Sequence, residues 1–186
     1  MVVEGSYDSP VFRALIRKIC NEDVPVFCRE AGGKNALMAA FPKLVWTFQH
    51  VQSLGGQVAR VLVVRDCNGK EPTEIESLMR TKMEGRSYPF RDGVHVFAVR
   101  GETETWLMAD VDALNRVAAR RGGRAVPAVP GPLEAIVAAK ERFRRLLSEA
   151  GLLYTSEVCG EVAAETDLTI LRSQCPSFAR FESVVR

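Results

Sequence analysis

Three acidic residues lie at or shortly after the ends of short apolar runs, and their placement is the part of this chain that points to chemistry. Glu4 follows Met1-Val2-Val3, Asp66 follows Val61-Leu62-Val63-Val64-Arg65, and Glu104 comes shortly after His95-Val96-Phe97-Ala98-Val99-Arg100. If those runs are parallel strands of one sheet, the three carboxylates emerge at the same edge, the edge where open α/β sheets place their ligands. Carboxylates gathered there repel one another unless a cation or a proton compensates. A hard divalent ion held by oxygen ligands is the economical expectation.

The elements that must position these groups follow from periodicity. Met1–Val3 reads as a first strand, and Gly5 to Ser9 as a turn. Pro10 sits at a first helical position, followed by the stripe Val11, Phe12, Leu15, Ile16 and Ile19. Val24–Cys28 is a second strand candidate, with Pro25 at its beginning or at a sheet edge. A helix is expected from about Asn35 to Leu54, with a break or kink at Pro42. Val58–Arg65 is the strongest strand signal, Pro72 opens a helix reaching about Met83, and Val94–Arg100 is the next strand. This alternation predicts an α/β fold with a mostly parallel sheet, helices on both faces and right-handed crossovers.

No strand signal follows Arg100. Short helices are expected around Trp106–Ala109 and Leu114–Ala119, then a Gly/Pro-rich loop from Gly122 to Pro132 and one helix over Leu133–Ala150. Asp167 reads as a helix cap and Pro176 as the start of a last helix towards Val185. The expected organisation is an α/β core over 1–110 and a helical extension over 111–186 packed on it.

Composition excludes several classes. With 186 residues, 47% apolar and 26% charged, the chain is ordinary globular material able to bury a core. A net charge of +2 does not by itself argue for nucleic acid. Basic residues do cluster, as Arg116, Arg120, Arg121 and Arg124 and as Lys140, Arg142, Arg144 and Arg145, and solvated helix faces are their plain explanation. Five cysteines without zinc-type spacing, and only two histidines, fit reduced thiols in a cytoplasm. No apolar run approaches the roughly 18 residues that span a bilayer. The acid at position 4, with no basic leader, does not read as a signal peptide.

Four segments in order carry a family resemblance: Val3-Glu4-Gly5, Val63 to Gly69 (Val-Val-Arg-Asp-Cys-Asn-Gly), Glu104 to Asp110 (Glu-Thr-Trp-Leu-Met-Ala-Asp), and Cys175 to Phe181 (Cys-Pro-Ser-Phe-Ala-Arg-Phe). They resemble a TOPRIM-like group, the domain of unknown function family 4276, over nearly the full chain. The resemblance implies a four-stranded, mostly parallel sheet between helices. It also implies a Mg2+ (or Mn2+) site formed by a first-strand glutamate and an acidic pair after a later strand, which here are Glu4, Asp66 and Asn68, and Glu104 from the strand-end reading completes the expected metal ligands. Nuclease chemistry on DNA or RNA, a partner ATPase of the SMC or ABC type and an anti-phage role complete the implied picture, and exposed apolar faces on the C-terminal helices make a homodimer an expectation. Where the TOPRIM pattern has a second aspartate this chain has Asn68, an oxygen donor without charge. A retained fold with a weakened metal site, serving as an interaction module, is therefore the alternative.

Phosphodiester cleavage needs an activated water and a positive group near the developing charge. Glu4 and Asp66 are the catalytic candidates, with Lys140, Arg65 or Lys34 as the cation. Each has a plainer role: a turn cap for Glu4, a turn former for Asp66, a helix cap for Glu104 and Asp110, a solvated helix face for Lys140. Gly32-Gly33-Lys34 lacks the spacing of a phosphate loop. Trp106 and Phe178 read as core, and Ser177 as helix-start chemistry.

Overall fold

In a computed structural model, which describes residues 1–21 and 24–186, the chain folds as an α/β layer structure. Four strands, β1 (Val2–Val3), β2 (Arg29–Glu30), β3 (Val61–Asp66) and β4 (Val94–Val99), form one sheet in the order β2-β1-β3-β4. All pairings are parallel. The sheet is thus wholly rather than mostly parallel. Consecutive parallel strands are connected by crossovers, so the strand C-termini share one edge.

Side chains alternate across the sheet and divide the core in two. Val3, Leu62, Val64, Phe97 and Val99 face one side, and Val2, Val61, Val63, Val96 and Ala98 the other. The second face is covered by α2 (Lys34–Ser53) and α3 (Pro72–Met83), through Leu37, Phe41, Val45, Phe48, Ile75 and Met79. The first is covered by α1 (Asp8–Cys20) together with helices from the C-terminal half: α4 (Glu104–Leu107), α5 (Val111–Arg120), α6 (Ala139–Glu149), α7 (Ser156–Glu165), α8 (Leu168–Gln174) and α9 (Pro176–Val185). Trp106 lies at the centre of this larger core, edge-on to Phe12 and Phe178, and its indole Nε1 donates to Ser177 Oγ at 3.0 Å. Among the described residues no strand follows Val99, as the sequence leads one to expect.

Four expectations need correction. The stretch Val24–Cys28 is not a strand; the ladder with β1 is made by Arg29 and Glu30. Val24, Val26 and Cys28 pack against the larger core, so their alternation records packing rather than pairing, and Pro25 has no N–H to give a ladder. Pro10 is the third residue of α1, which begins at Asp8. Of the break or kink expected at Pro42, the break is absent: α2 runs from Lys34 to Ser53 with Pro42 inside it, and the stripe of buried Leu37, Phe41, Val45 and Phe48 outweighs the lost backbone bond. Leu133–Ala150 is not one helix. A 3-10 turn over Leu133–Ala135 is followed by Ala138 at φ 57°, and α6 starts only at Ala139.

Candidate functional site

The C-terminal edge of the sheet opens on a cavity of about 200 Å³. Glu4, Asp8, Asp66, Glu102 and Glu104 line it together with Lys34, Lys140, Tyr7 and Asn68. Glu4, Asp66 and Glu104, separated by up to a hundred residues in sequence, are brought to one place, and Asn68 and Lys140 join them.

Each side chain is placed by its element. Glu4 follows β1 directly. Its carbonyl accepts from Gly32 N (3.0 Å) and Gly33 N (2.7 Å), and both glycines have positive φ, 86° and 116°, which a side chain would disfavour. This clasp closes the β1–β2 edge and starts α2 with Lys34 at the cavity. The carboxylate Oε1 of Glu4 accepts from Asp66 N at 3.1 Å, and Arg65, 12% exposed, brings Nε within 3.8 Å of it. Asp66 ends β3 opposite Val99. The chain beyond β4 wraps it: Thr103 donates to Asp66 Oδ1 from N (3.1 Å) and from Oγ1 (2.8 Å). Asn68 is exposed, takes φ 50°, and turns its amide to the carbonyl of Asp66 at 3.3 Å. The left-handed turn accounts for asparagine at this position.

Two acids the sequence reading passed over belong to the site. Asp8 opens α1 and accepts from Gly5 N at 2.8 Å. Glu102 accepts from Lys140 N at 2.8 Å, which caps α6 from outside the helix and explains why that helix begins late. Asp8 was hidden inside a turn signature. Glu102 stands two residues before Glu104, and a Glu-x-Glu pair just past a strand end was a usable signal.

Lys140 is not on a solvated face. It is half-buried, with Nζ 5.5 Å from the Tyr7 ring centroid and 5.6 Å from that of Tyr154. Glu104 is 8% exposed, and Tyr154 Oη donates to its Oε1 at 2.5 Å.

The electrostatics follow from this crowding. Burial pushes the Asp66 carboxyl well above its ordinary range; the charges of Asp8, Glu104 and Glu4 add to the shift, and the Thr103 hydroxyl opposes it. Asp8 is pushed up to about 7, first by burial, with Glu4 and Glu104 adding and the Gly5 N–H and Lys140 opposing. Glu4 is raised by burial, against the Asp66 N–H and the charges of Arg65, Lys34 and Lys140. Burial first, with neighbouring carboxylates adding for Asp8 and Asp66, therefore gives three acids of the cavity a raised affinity for protons.

The donors are all oxygen, which suits a hard divalent ion. Among the described residues no three His, Cys, Asp or Glu side chains are grouped as a ready-made cage. The donor set and charge fit a magnesium-like ion, which takes one or two carboxylates and completes its shell with water and phosphate oxygens.

The other candidates fall outside the cavity. Asp110 caps α5, accepting from Ala113 N at 3.1 Å, and Asp167 caps α8, accepting from Thr169 N. The first basic cluster is engaged: Arg116 and Arg120 pair with Glu165 at 3.0 and 2.7 Å, Arg121 with Glu161 at 2.6 Å, and Arg124 donates to the Glu149 carbonyl. Cys28, Cys67, Cys159 and Cys175 are free thiols. Among the described residues no helix is long and apolar enough to cross a membrane.

Residues 3–186 match the family described as Domain of unknown function (DUF4276). The chain belongs to that family. The match includes Glu4, Asp8, Asp66, Glu102, Glu104 and Lys140, so the whole cavity lies within the family's domain. No curated protein and no solved structure matches the chain.

Proposed function

We propose that the protein is a TOPRIM-like, Mg2+-dependent nuclease that hydrolyses phosphodiester bonds of DNA or RNA. The observation that carries this reading is the convergence of Glu4, Asp8, Asp66 and Glu104 on one cavity at the C-terminal edge of a parallel sheet, three of them with raised affinity for protons. Glu4, Asp66, Asn68 and Glu104 are the residues that would hold the ion. When bound, a divalent ion polarises the phosphoryl oxygen and makes water a better nucleophile at neutral pH. Asp8, poised near 7, takes a proton from the attacking water and releases it to solvent, and the departing oxygen on the far side of phosphorus takes its proton from solvent. Lys140 and Lys34 face the phosphate charge. The resemblance stated above adds a partner ATPase of the SMC or ABC type and a role in prokaryotic antiviral defence.

Purified protein incubated with plasmid, single-stranded DNA and RNA, with Mg2+ or Mn2+, is expected to cleave at least one of them. Glu4→Gln and Asp66→Asn are each expected to lower the rate on the order of 10²-fold. Undiminished cleavage by both variants rejects these assignments.

A second reading rests on Asn68. Its amide is turned to a backbone carbonyl, and among the described residues no preformed cage surrounds it, which favours a TOPRIM-fold interaction module with a weak or lost metal site. Thermal unfolding separates the two. Mg2+ at about a hundred times its Kd stabilises by about 2.7 kcal/mol, or roughly 5–10 °C for a chain of this size, and Asn68→Asp is expected to enlarge the shift. No shift in either protein favours the module.

A further inference from the structure

Beyond the carboxylates, the segment between α6 and α7 reaches Glu104, at the wall of the cavity, through one side chain. We propose that Tyr154 is the positioning residue of the site: its phenol holds Glu104 in place for the ion, and its ring seats the Lys140 ammonium. The inference rests on the hydrolase reading given above and assigns a role within it to the helical half of the chain.

Glu104 is 8% exposed, and Tyr154 is its side-chain hydrogen-bond donor among the described residues. A buried carboxylate without a donor is costly, and a phenol–carboxylate bond of 2.5 Å belongs to the short, charge-assisted class. Removing that donor frees Glu104 to rotate away from the position in which it would hold the ion.

The ring works separately. It stacks on Tyr7 with centroids 4.6 Å apart and planes 11° apart, and Phe143 meets it edge-on at 6.3 Å. Lys140 sits over both tyrosines, and Arg144 lies 4.7 Å above the Tyr154 ring. The aromatic faces hold the ammonium, which makes no ion pair within 4 Å among the described residues, and its charge acts on Glu4 and Asp8 across the cavity.

The backbone fixes Tyr154 on both sides. Leu152 N donates to Leu147 O at 2.8 Å, and Arg124 N to Ala150 O at 2.9 Å, so the exit from α6 is pinned. Thr155, the next residue, caps α7 by accepting from Val158 N at 3.2 Å. The phenol's proton is engaged in its bond to Glu104 Oε1, so Tyr154 acts through that carboxylate.

The test is Mn2+ binding to the full chain, measured by calorimetry, for wild type, Glu104→Gln, Tyr154→Phe and Tyr154→Leu. Tyr154→Phe keeps the stack and removes only the hydroxyl. Its Mn2+ affinity is expected to fall about 10–100-fold, the usual consequence of losing a partner of a metal ligand. In cleavage assays Tyr154→Leu, which also unseats Lys140, is expected to lose kcat further at saturating Mn2+, while Tyr154→Phe recovers most of its kcat there. Tyr154→Phe binding Mn2+ within twofold of wild type overturns the positioning role, whatever Glu104→Gln does. Failure of the wild-type protein to bind Mn2+ overturns the hydrolase reading and this inference with it, so the two failures are distinguishable. Should Tyr154→Phe not fold, the wild-type phenol is followed by 13Cζ-tyrosine NMR during Mg2+ titration. A shift of the Tyr154 resonance is expected, and an unchanged resonance in a protein that binds the ion overturns the role.

Discussion

Asp8 makes the electrostatic design of the cavity measurable. Its folded-state affinity for protons is raised to about 7 against an ordinary value of 3.8, and Asp66 and Glu4 are raised in the same direction. Between the ordinary and the raised values the folded chain binds more protons than the unfolded chain, so stability falls as pH rises through that window. In EDTA the protein is therefore expected to melt at higher temperature near pH 5 than near pH 8. Asp8→Asn is expected to flatten part of that slope, and saturating Mg2+ most of it, because the ion supplies the missing positive charge. A melting temperature that rises from pH 5 to 8 in EDTA contradicts this account of the site. The acids at positions 4, 66 and 104 were legible in the sequence because strand ends announce themselves by valine-rich runs. Asp8 and Tyr154 were not. Asp8 looks like any turn residue, and Tyr154 meets Glu104 across fifty positions with no periodic trace.

At the scale of elements, the position of Asp8 depends on how α1 packs. The helix lies against α7 so closely that a Cβ on Gly160 would come within 2.7 Å of Pro10 Cβ. Both atoms belong to short, rigid groups, so the backbones must separate. Gly160→Ala is expected to cost about 1–3 kcal/mol, as overpacking does, and to displace the first turn of α1, which carries Asp8. Chemical denaturation checks the first effect, and the pH slope of melting checks the second. A variant as stable as wild type, with an unchanged slope, shows that the contact is slack. The helical stripes of α1 and α2 were readable because buried residues recur at helical spacing. The split between the 3-10 turn and α6 was not: it is imposed by Glu102, which caps Lys140 N from a distant loop, and local pattern carries no record of a distant acceptor. The short β2 escaped for a related reason. Two exposed residues, Arg29 and Glu30, form it, and their pairing is dictated by the partner strand rather than by their own hydrophobicity.

At the scale of the whole molecule, the sequence divides at about residue 110 into an α/β part and a helical part, but the packing does not. The core on the first face of the sheet joins Val3, Phe12, Val64 and Phe97 to Leu114, Phe143, Val162, Phe178 and Phe181. Glu76, 4% exposed on α3, accepts from Ala98 N at 3.1 Å, from Arg80 at 3.1 Å and from Arg180 of α9 at 2.6 Å, which ties the last helix across the β4 edge. Each large apolar side chain uncovered by removing the helices forfeits about 1.5–3 kcal/mol of burial, and domains are marginal by only about 5–15 kcal/mol. Uncovering Phe12, Phe97 and Trp106 alone spends most of that margin, and the fragment loses Lys140 from the cavity wall and Tyr154, the donor to Glu104. A fragment of residues 1–110 is thus expected to lack a cooperative thermal transition and to bind Mn2+ no better than Asp66→Asn in the full chain. A fragment that melts cooperatively and binds the ion like the intact protein would show that the helical half is an accessory. The opposite result makes fold and site a single unit, in which the segment after residue 110 completes both the core and the cavity wall.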